Sequence, residues 1–488
     1  MILWAYALTG LIVVGIILMP WRVARYGRLL NLLTVANAAL CLALTVLALV
    51  LLPLPHYFLS NRYLFIDSLS IYEVLIASGV FMLAALYARG YLRSLVQARE
   101  INRENLKLFY IAFNLLLTVI VFAFLANNLA LFWILVELTT ILSATLIVTL
   151  NAKENILAAL KYVFIASSAM LFSFIGILLV FAMTRESLGA GTLNWSELMT
   201  QAKSLPAPLF TLAFVFMFVG FAAKSGIVPF HTWLPPAHAK APSVVSAILS
   251  AVLLNVGIYG ILRLYAIAHQ TAAVHAISLT LIIFGIITMG VATFSMLSRE
   301  NIKKLIAFSS IEHMGLMIIG IGLGTPIVLF GVLFYILGHS LIKSLLFFSA
   351  GILHRQFESN KYYDMKNVLV LQPLASTGVI MGGVAIIGTP MFPLFFSKLS
   401  ILAGLGAFSL PLLFLVLLLV LIVAASFALF IVRTCCQVTD GEAARHYHAP
   451  WSMKLPIGIL LVLIVALGVF VPQGLSNMLN SIVTSLGF

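Results

Sequence analysis

The sequence contains few charged residues and few cysteines. Charged residues make up 8% of the 488 positions, and hydrophobic residues make up 63%. Soluble domains carry about 25% charged residues, so this composition excludes a water-soluble fold. The cysteines, Cys41, Cys435 and Cys436, lack the spacing of a disulfide framework or of a zinc or iron–sulfur site. We therefore expect neither a cofactor nor a metal on this chain, and any redox centres should lie on partner chains.

Long apolar runs recur along the whole chain. They are roughly 19 to 27 residues long, enough for a helix to cross the hydrocarbon core of about 30 Å. We predict an all-α polytopic membrane protein with about 14 transmembrane helices. The predicted helices span 2–19, 30–52, 66–88, 107–126, 129–149, 156–182, 208–230, 243–266, 273–297, 303–322, 327–353, 369–403, 409–432 and 456–475.

Basic residues are divided unequally between the two sets of loops. Nineteen of the 27 lysines and arginines fall in alternate loops, which begin with Arg22, Arg25 and Arg28 and include Lys107 and Lys303. Because basic loops stay in the cytoplasm, we predict a protein of the cell inner membrane with both termini on the outer, periplasmic side. The net charge of +13 then reflects orientation and anionic lipid, not nucleic acid. The bases assigned to the other loops are Arg62, Arg185, Lys203 and Arg263.

Two predicted helices contain helix-breaking residues. Helix 7 runs from Lys224 into GIVPFHTWLPPAHAKAP, with Pro229 and Pro235, and helix 12 contains GTPMFPLFFSK, with Pro390 and Pro393. Such residues free backbone carbonyls, which only a cavity or buried neighbours can satisfy. Interrupted helices in corresponding positions of two halves indicate an ion path between inverted repeats.

The interruptions lie five helices apart, which predicts two inverted five-helix repeats, helices 4–8 and 9–13. The chain then divides into N-terminal helices 1–3 (1–106), a first repeat (107–268), a second repeat (269–434) and a C-terminal loop with helix 14 (435–488).

Ionisable residues lie inside several of the predicted helices. A charged side chain in hydrocarbon is unfavourable unless it is paired, is hydrated or takes part in the protein's function. Each of these residues is therefore a candidate for ion translocation. His339 and Lys343 are four residues apart and share a helical face, and a Glu137–Lys224 pair would offset part of the desolvation of both. The series consists of Glu137, Lys161, Lys224, Glu312, His313, His339, Lys343 and Lys398.

A structural role is the alternative for each of these residues. A buried Glu–Lys pair can fix helix packing, an interpretation that applies most readily to Lys161, and a lone histidine on a bundle face is usually a packing residue. Glu137, Lys224, Lys343 and Lys398 lie at four different depths of the predicted helices. Burying four charges in hydrocarbon for packing alone would cost much free energy. The sequence therefore favours ion translocation for this set.

The stretch Phe221–Leu264 resembles the signature of the antiporter-like membrane subunits of respiratory complex I, Mrp cation/proton antiporters and membrane-bound [NiFe] hydrogenases. LFWILVELTT, NIKKLIAFSSIEHMG, GHSLIKSLLFFSAG and GTPMFPLFFSKLSIL support it in the family's order. The resemblance implies that Glu137 and Lys224 gate proton entry, that His339 and Lys343 form the central relay, and that Lys398 passes the proton outward. Lys161 matches a basic helix-6 position of some members.

The sequence also departs from the family's pattern. Pro236 replaces a usual acidic residue, Val244 a frequent proline, and Asn255 the helix-8 lysine of chain M types. The central relay should therefore run through His339 and Lys343 without a helix-8 lysine. The long lateral helix of chain L types is expected to be absent.

Within the family, AKENILAALKYVFIASSAMLFSFIGILL and the segment from VTDGEAARHYHAPWSMKLP resemble hydrogenase-4 component F of formate hydrogenlyase-type complexes. This implies partner subunits that carry a [NiFe] centre and iron–sulfur clusters, while this non-redox chain moves H⁺ or Na⁺. The alternatives are a stand-alone Mrp-type antiporter subunit, a chain of NADH–quinone oxidoreductase, and a purely structural membrane scaffold.

Overall fold

A computed structural model describes residues 2–20, 27–51, 57–58, 63–150, 152–437 and 447–488. Within these ranges the chain is helical apart from loops and one short antiparallel hairpin, β1 (Tyr57–Phe58) with β2 (Phe65–Ile66). The basic residues Arg22, Arg25, Arg62 and Arg445, which entered the prediction of orientation, lie outside the described ranges.

The helices of the first part of the chain are α1 (Ile2–Leu18), α2 (Gly27–Leu51), α3 (Ser68–Gln97), α4 (Arg103–Phe124), α5 (Leu129–Ile147), α6 (Lys153–Leu188), α7 (Trp195–Gln201) and α8 (Ala207–Lys224). Short polar side chains begin three of them. Asp67 caps α3, Asn102 caps α4 and Asn128 caps α5, each accepting a hydrogen bond from a backbone N–H of the first turn. These caps satisfy donors that have no partner inside the helix.

The remaining helices are α9 (Leu234–Lys240), α10 (Ser243–Ile248), α11 (Leu254–His269), α12 (Val274–Met296), α13 (Ile302–Leu323), α14 (Pro326–Phe357), α15 (Val368–Leu371), α16 (Pro373–Ile387), α17 (Pro393–Phe408), α18 (Leu410–Cys435), α19 (Trp451–Val469) and α20 (Gln473–Ser485). A single π-helical turn, Leu249–Leu253, joins α10 to α11.

Twelve helices of the described residues are long and apolar enough to span a membrane, and three shorter apolar helices add Leu8–Leu18, α16 and α17. The prediction of an all-α polytopic membrane protein is confirmed. The count of fourteen and the division into inverted repeats stay predictions. The helix patterns missed α7 and α20, because both lie in short, mixed polar and apolar segments.

The bundle has a protein-lined centre and a lipid-facing rim. Helices α11 and α13 are buried along their apolar windows, whereas α2, α18 and α19 expose most of theirs. Apart from their few polar residues these helices are apolar, as expected when lipid replaces water around a bundle. The polar residues of α11 and α13 therefore face protein, not solvent or lipid.

Both predicted interruptions are present in the structure. Helix α8 ends at Lys224, and Gly226 follows with φ = 71°, in the left-handed region that favours glycine. A 3₁₀ turn, Phe230–Trp233, then leads into α9. In the same way α16 ends at Gly388 with φ = 90°, and the chain resumes as α17 at Pro393. Each interruption leaves helix-end carbonyls without intrahelical partners.

A buried ion pair joins α3 to α11. The Arg263 guanidinium donates from both terminal nitrogens to the Asp67 carboxylate, at 2.7 and 2.6 Å, and its plane lies over the Phe65 and Tyr259 rings at 4.8 and 4.9 Å. Burial opposes ionisation of Asp67, but the attraction of Arg263 outweighs it and lowers the pKa of Asp67 below its usual value. The pair therefore fixes the start of α3 against the centre of the bundle.

Three bases that were assigned to loops are buried within helices. Arg263 belongs to α11, Lys107 to α4 and Lys303 to α13, and all three are buried. Lys107 donates to the backbone oxygens of Ile17 and Met19 at the end of α1, at 3.1 and 2.7 Å. The loop assignment was wrong because a long basic side chain stays buried when its nitrogen reaches a helix-end carbonyl or a carboxylate.

We expect Asp67→Asn to lower the free energy of unfolding by about 3 to 5 kcal/mol, because it leaves the Arg263 charge buried and unpaired. Asparagine still caps a helix well, so the loss reports the ion pair. The measurement is thermal unfolding in detergent, with the exposed Asp364→Asn as the matched control.

The pair also predicts a pH dependence. Its stabilisation is complete above the unfolded-state pKa of about 3.9 and is lost as the pH falls through the lower folded-state pKa of Asp67. The difference between the native chain and Asp67→Asn should therefore persist at neutral pH and shrink only in strong acid. Equal melting of the two chains at pH 7 would contradict this account.

Candidate functional site

Lys224 lies at the end of α8, fully buried, with only neutral partners on its amine. Its Nζ donates to Thr140 Oγ1 at 2.8 Å and to the Tyr162 hydroxyl at 3.0 Å. Both partners are hydroxyls, which can accept a hydrogen bond from an ammonium or from a neutral amine and can also donate one to the neutral amine. The amine therefore keeps its partners in either protonation state.

Tyr162 is held in place by the interrupted segment that follows Lys224. Its ring lies 4.2 Å from the Trp233 ring, and the Trp233 indole N–H donates to Ala223 O at 2.9 Å. The Tyr162 hydroxyl also lies 3.0 Å from Ser143 Oγ. The turn after α8 thus positions a short row of hydroxyls beside the lysine.

Glu137 is half-buried on α5 and does not touch Lys224. One carboxylate oxygen accepts a hydrogen bond from Ser167, and the other has no partner among the described residues. Thr140, one helical turn further along α5, occupies the position next to the amine. Glu137 and Lys224 therefore form no contact ion pair, and their pairing in ion translocation stays a prediction. The two charges interact through space, with Thr140 and Tyr162 as the polar groups on the lysine.

The π-helical turn places Asn255 between the first and second parts of the site. A π turn leaves a carbonyl without its usual partner, and here Ala251 O accepts from Asn255 Nδ2 at 3.0 Å and from Ser340 Oγ at 2.6 Å. Asn255 also donates to Ser340 Oγ at 3.0 Å. A neutral amide thus links α11 to α14, next to His339, where the resemblance expects a lysine in other members.

Lys343 and His339 lie one turn apart on α14 and are fully buried. The Lys343 amine donates to Ile306 O at 2.9 Å and to the Ser309 hydroxyl, both on α13. Neither ring nitrogen of His339 has a hydrogen-bond partner among the described residues. Like Lys224, Lys343 is surrounded by neutral acceptors and has no carboxylate partner within 4.0 Å in the described part of the chain.

His313 and Glu312 lie beside this central pair. The ring centres of His313 and His339 are 5.5 Å apart, edge to face. Nδ1 of His313 contacts the Tyr335 hydroxyl and lies 3.1 Å from a Glu312 carboxylate oxygen. Glu312 is the buried acid closest to the centre of the second part of the site.

Lys398 lies on α17 and reaches across the second interruption. Its amine donates to Ile386 O and Ile387 O, both at 3.1 Å, which are the end carbonyls of α16. A cation at a helix C-terminus is favoured by the helix dipole. The lysine therefore satisfies the carbonyls that the break at Gly388 leaves open.

The predicted site residues separate into buried and exposed members. Lys224, Glu312, His313, His339, Lys343 and Lys398 are buried, and Glu137 is half-buried. Lys161 is exposed on α6, away from the contacts that surround Lys224. Lys161 lies inside α6 as predicted, and its part in ion translocation stays a prediction. The break prolines lie in or beside the two interruptions: Pro229, Pro235, Pro390 and Pro393.

Sequence reasoning missed two buried bases close to the helices that carry Lys343 and Ile306. His238 on α9 is fully buried against the Phe347 ring at 5.0 Å, and neither of its nitrogens has a hydrogen-bond partner among the described residues. Lys303 donates to Ala241 O at 3.1 Å, three residues beyond His238. Phe347 lies one turn from Lys343, and Lys303 lies one turn from Ile306, which accepts from Lys343.

A cavity of about 430 Å³ opens beside these bases. Its lining includes Lys303, His354, Glu100 and Lys240. It lies where α6 and α13 begin and α14 ends, on the face of the bundle that holds the basic loops. His238 is the chain neighbour of Ala239, which lines this cavity, and it stacks on Phe347, one turn from Lys343.

Within the described residues, no group of three or more histidine, cysteine, aspartate and glutamate side chains is placed to hold a metal ion. The ionisable residues of the site are instead separated by hydroxyls, amides and backbone carbonyls. The hydroxyls among these spacers both donate and accept hydrogen bonds, whereas the backbone carbonyls only accept them.

Residues 126–424 match the family described as NADH:quinone oxidoreductase/Mrp antiporter, TM. The match covers more than half of the chain, from the start of α5 into α18, and includes every candidate residue of the site. The chain belongs to this family. The resemblance found in the sequence is thus confirmed, and the chain is an antiporter-like membrane protein.

Two curated relatives share much of the sequence. The chain is 29% identical over 414 residues to a hydrogenase-4 component F homolog of Methylacidiphilum infernorum (isolate V4), covering 84% of this chain and 86% of that protein. It is 28% identical over 434 residues to hydrogenase-4 component B of Escherichia coli (strain K12). That match covers 84% of this chain and 62% of component B, so the chain spans less than two thirds of the latter's length.

A solved structure shares the fold of the antiporter family over almost the whole chain. A chain of the membrane-bound sulfane sulfur reductase, an archaeal respiratory membrane complex, superposes with a TM-score of 0.86 at 21% identity, covering 99% of this chain and 97% of that one. At this identity the likeness shows the fold alone. It supports the arrangement of α1 to α20 as one family architecture.

Proposed function

We propose that this chain moves protons across the cell inner membrane as the antiporter-like subunit of an energy-converting complex. One observation carries the proposal: Lys224, Lys343 and Lys398 are all buried, and each amine donates only to hydroxyl or carbonyl oxygens. A structural lysine is either paired with a carboxylate or, like Lys107, covers helix-end carbonyls, so the hydroxyl partners of Lys224 and Lys343 are the distinguishing feature. A proton carrier must also be stable as a neutral amine, which neutral acceptors allow.

Polar groups lie beside the carriers. The hydroxyls of Thr140 and Tyr162 contact Lys224, and Thr140 lies one turn from Glu137 on α5. The amide of Asn255 joins α11 to the helix of His339 and Lys343. His313 and Tyr335 then extend the row beyond His339. In this proposal the proton moves in order along Glu137, Lys224, Lys343 and Lys398.

Electrostatic repulsion supplies the direction of transfer. Two unit charges about 4 Å apart interact by about 4 kcal/mol at an effective dielectric of 20, and the interaction falls inversely with separation. Protonating one lysine therefore raises the free energy of charge on its neighbour. The two repeats, 107–268 and 269–434, would each contain one interrupted helix and one half of the series of carriers. Both chain termini would lie on the outer side.

We further propose that protons reach Lys343 from the inner side through His238. The supporting geometry is the cavity lined by Lys303 and His354, the burial of His238 beside it, and the two ring nitrogens of His238 that have no partner among the described residues. A neutral imidazole with both nitrogens available can accept a proton on one side and release one on the other.

The partners that fit this proposal are the subunits of a membrane-bound [NiFe] hydrogenase of formate hydrogenlyase type. The similarity to a hydrogenase-4 component F homolog over 86% of its length supports that assignment. The nickel–iron centre and iron–sulfur clusters would lie on a peripheral arm, and this chain would convert the signal of that arm into ion movement. A stand-alone Mrp-type antiporter subunit and a chain of NADH–quinone oxidoreductase are the alternatives within the same family.

Purification of the chain from its native host in mild detergent separates these assignments. We expect mass spectrometry to identify hydrogenase and iron–sulfur subunits among the co-purified proteins. Small membrane chains without a redox partner would replace the assignment by an Mrp-type antiporter, and NADH-oxidising subunits would replace it by an NADH–quinone oxidoreductase.

Lys224→Ala should abolish ion movement while leaving part of the electron-transfer activity of the complex. Removing a positioned proton carrier lowers the rate by roughly two orders of magnitude or more. The measurement is acidification of proteoliposomes that contain the whole complex, with hydrogen turnover followed in the same sample. Lys153→Ala, an exposed lysine at the start of α6, is the control.

Two results of this experiment would contradict the proposal. Unchanged ion movement in Lys224→Ala would make the lysine structural, and the same result with Lys224→Leu would favour a membrane scaffold. A sodium-sensitive dye in the parallel sample distinguishes the ion: sodium uptake without acidification would replace protons by sodium ions in the proposal.

His238→Phe should slow proton uptake by roughly a hundredfold, as expected when a positioned proton carrier is lost. Phenylalanine keeps the stacking against Phe347 and removes both nitrogens. The measurement is proteoliposome acidification, and His275→Phe, an exposed histidine on α12, is the control. Normal uptake in His238→Phe together with loss in Lys224→Ala would refute this entry path and leave the main proposal intact.

A further inference from the structure

A second large cleft lies away from the candidate translocation site. It has a volume of about 650 Å³ and is formed where α2, α4 and α19 begin and α3 ends. Because these helix ends lie on one face of the bundle, the cleft is at the level of the membrane surface, on the side of the basic loops. Its volume is in the range of about 300 to 1,000 Å³ that is typical of ligand pockets.

Four arginines line the cleft: Arg28, Arg89, Arg93 and Arg103. Their side chains are exposed, and in the described part of the chain none of the four forms an ion pair or a hydrogen bond through its guanidinium group. None of the lining residues that the structure describes is acidic. Arg89 and Arg93 are four apart on α3 and so lie on one face. The described lining of the cleft therefore concentrates positive charge without an acidic residue to compensate it.

The remaining wall of the cleft is apolar and rigid. Leu92 and Leu106 are among its lining residues. Helix α19 packs tightly on α3 here, since a Cβ atom at Gly90 would lie 2.5 Å from Pro450 Cγ. This close approach fixes the floor of the cleft between the two helices.

The cleft continues towards the surface that faces lipid. Trp451, at its edge, is 82% exposed, as is typical of an aromatic residue at a membrane interface. One turn deeper, Leu455 is 50% exposed on α19, and Leu32 is 64% exposed one turn below Arg28 on α2. A molecule in the cleft would thus meet arginines at the surface and leucines towards the hydrocarbon.

We propose that this cleft binds the phosphate headgroup of an anionic phospholipid. Guanidinium groups bind phosphate oxygens in a bidentate manner, and the acyl chains would run along Leu32 and Leu455. Basic pockets between transmembrane helices on the cytoplasmic side bind acidic lipid headgroups in this way. The proposal uses residues outside the ion path and does not depend on the proposed function.

Native mass spectrometry of the full chain in mild detergent tests the proposal. Phosphatidylglycerol or phosphatidylcholine is added at equal concentrations, and the bound fraction is measured for the native chain and for the Arg89→Gln/Arg93→Gln variant. We expect a preference for phosphatidylglycerol that falls roughly tenfold or more in the variant, since each base near an anionic headgroup contributes about 1 kcal/mol. The control is Lys153→Gln/Lys366→Gln, which removes the same charge from exposed positions of the same face.

Melting curves of both variants establish that they are folded, and Arg28→Gln/Arg103→Gln is a second variant if the first fails to fold. Three outcomes would overturn the proposal. Equal loss in the control would mean that only the overall surface charge matters. Displacement of the lipid by millimolar inorganic phosphate would identify a free-anion site. Unchanged lipid binding with loss of a co-purifying subunit would identify an acidic protein segment as the occupant.

Discussion

Hydrocarbon offers no hydrogen-bonding partners, so each polar group that this chain carries into the membrane must be satisfied by the chain itself. Two helix breaks and one π turn release backbone carbonyls, which side chains of the bundle satisfy. Trp233 donates to Ala223 O at the first break, Lys398 covers the end carbonyls of α16, and Asn255 with Ser340 covers Ala251 O. The irregular backbone and these buried side chains therefore satisfy one another's hydrogen bonds.

The buried lysines of the candidate site differ from a structural ion pair in their hydrogen-bond partners. The Arg263–Asp67 pair shows what a structural pair looks like in the same molecule: two short, parallel hydrogen bonds between opposite charges. Lys224 and Lys343 have hydroxyls and a carbonyl instead. A charge-paired base is fixed in one protonation state, whereas a base among neutral acceptors keeps its hydrogen bonds in both, which is the property that proton transfer needs.

The two membrane faces differ in how they use their bases. On one face Arg263 is buried and paired, and it joins α3 to the centre of the bundle. On the other face Arg89 and Arg93 are exposed and lack partners among the described residues, and they line a cleft beside lipid-facing leucines. Lys303 represents a third environment: it is buried, and its amine donates to the Ala241 carbonyl at the edge of the cavity that Lys303 and His354 line. The count of bases in loops predicts orientation but does not distinguish these three environments.

The sequence by itself determined the class of protein, the positions of both interruptions, and the placement of Lys224, Lys343 and Lys398 within apolar helices. These follow from local properties: hydropathy, the backbone limits of proline and glycine, and the cost of charge in lipid. It also determined the family, because the motif from Phe221 to Leu264 is long and specific. Only the tertiary structure decided that Glu137 is separated from Lys224, that Lys161 is exposed, and that His238 and Arg263 are buried. A helix that is apolar on all faces carries no periodic signal to show which side meets protein, so the partners of each charge depend on how the helices pack.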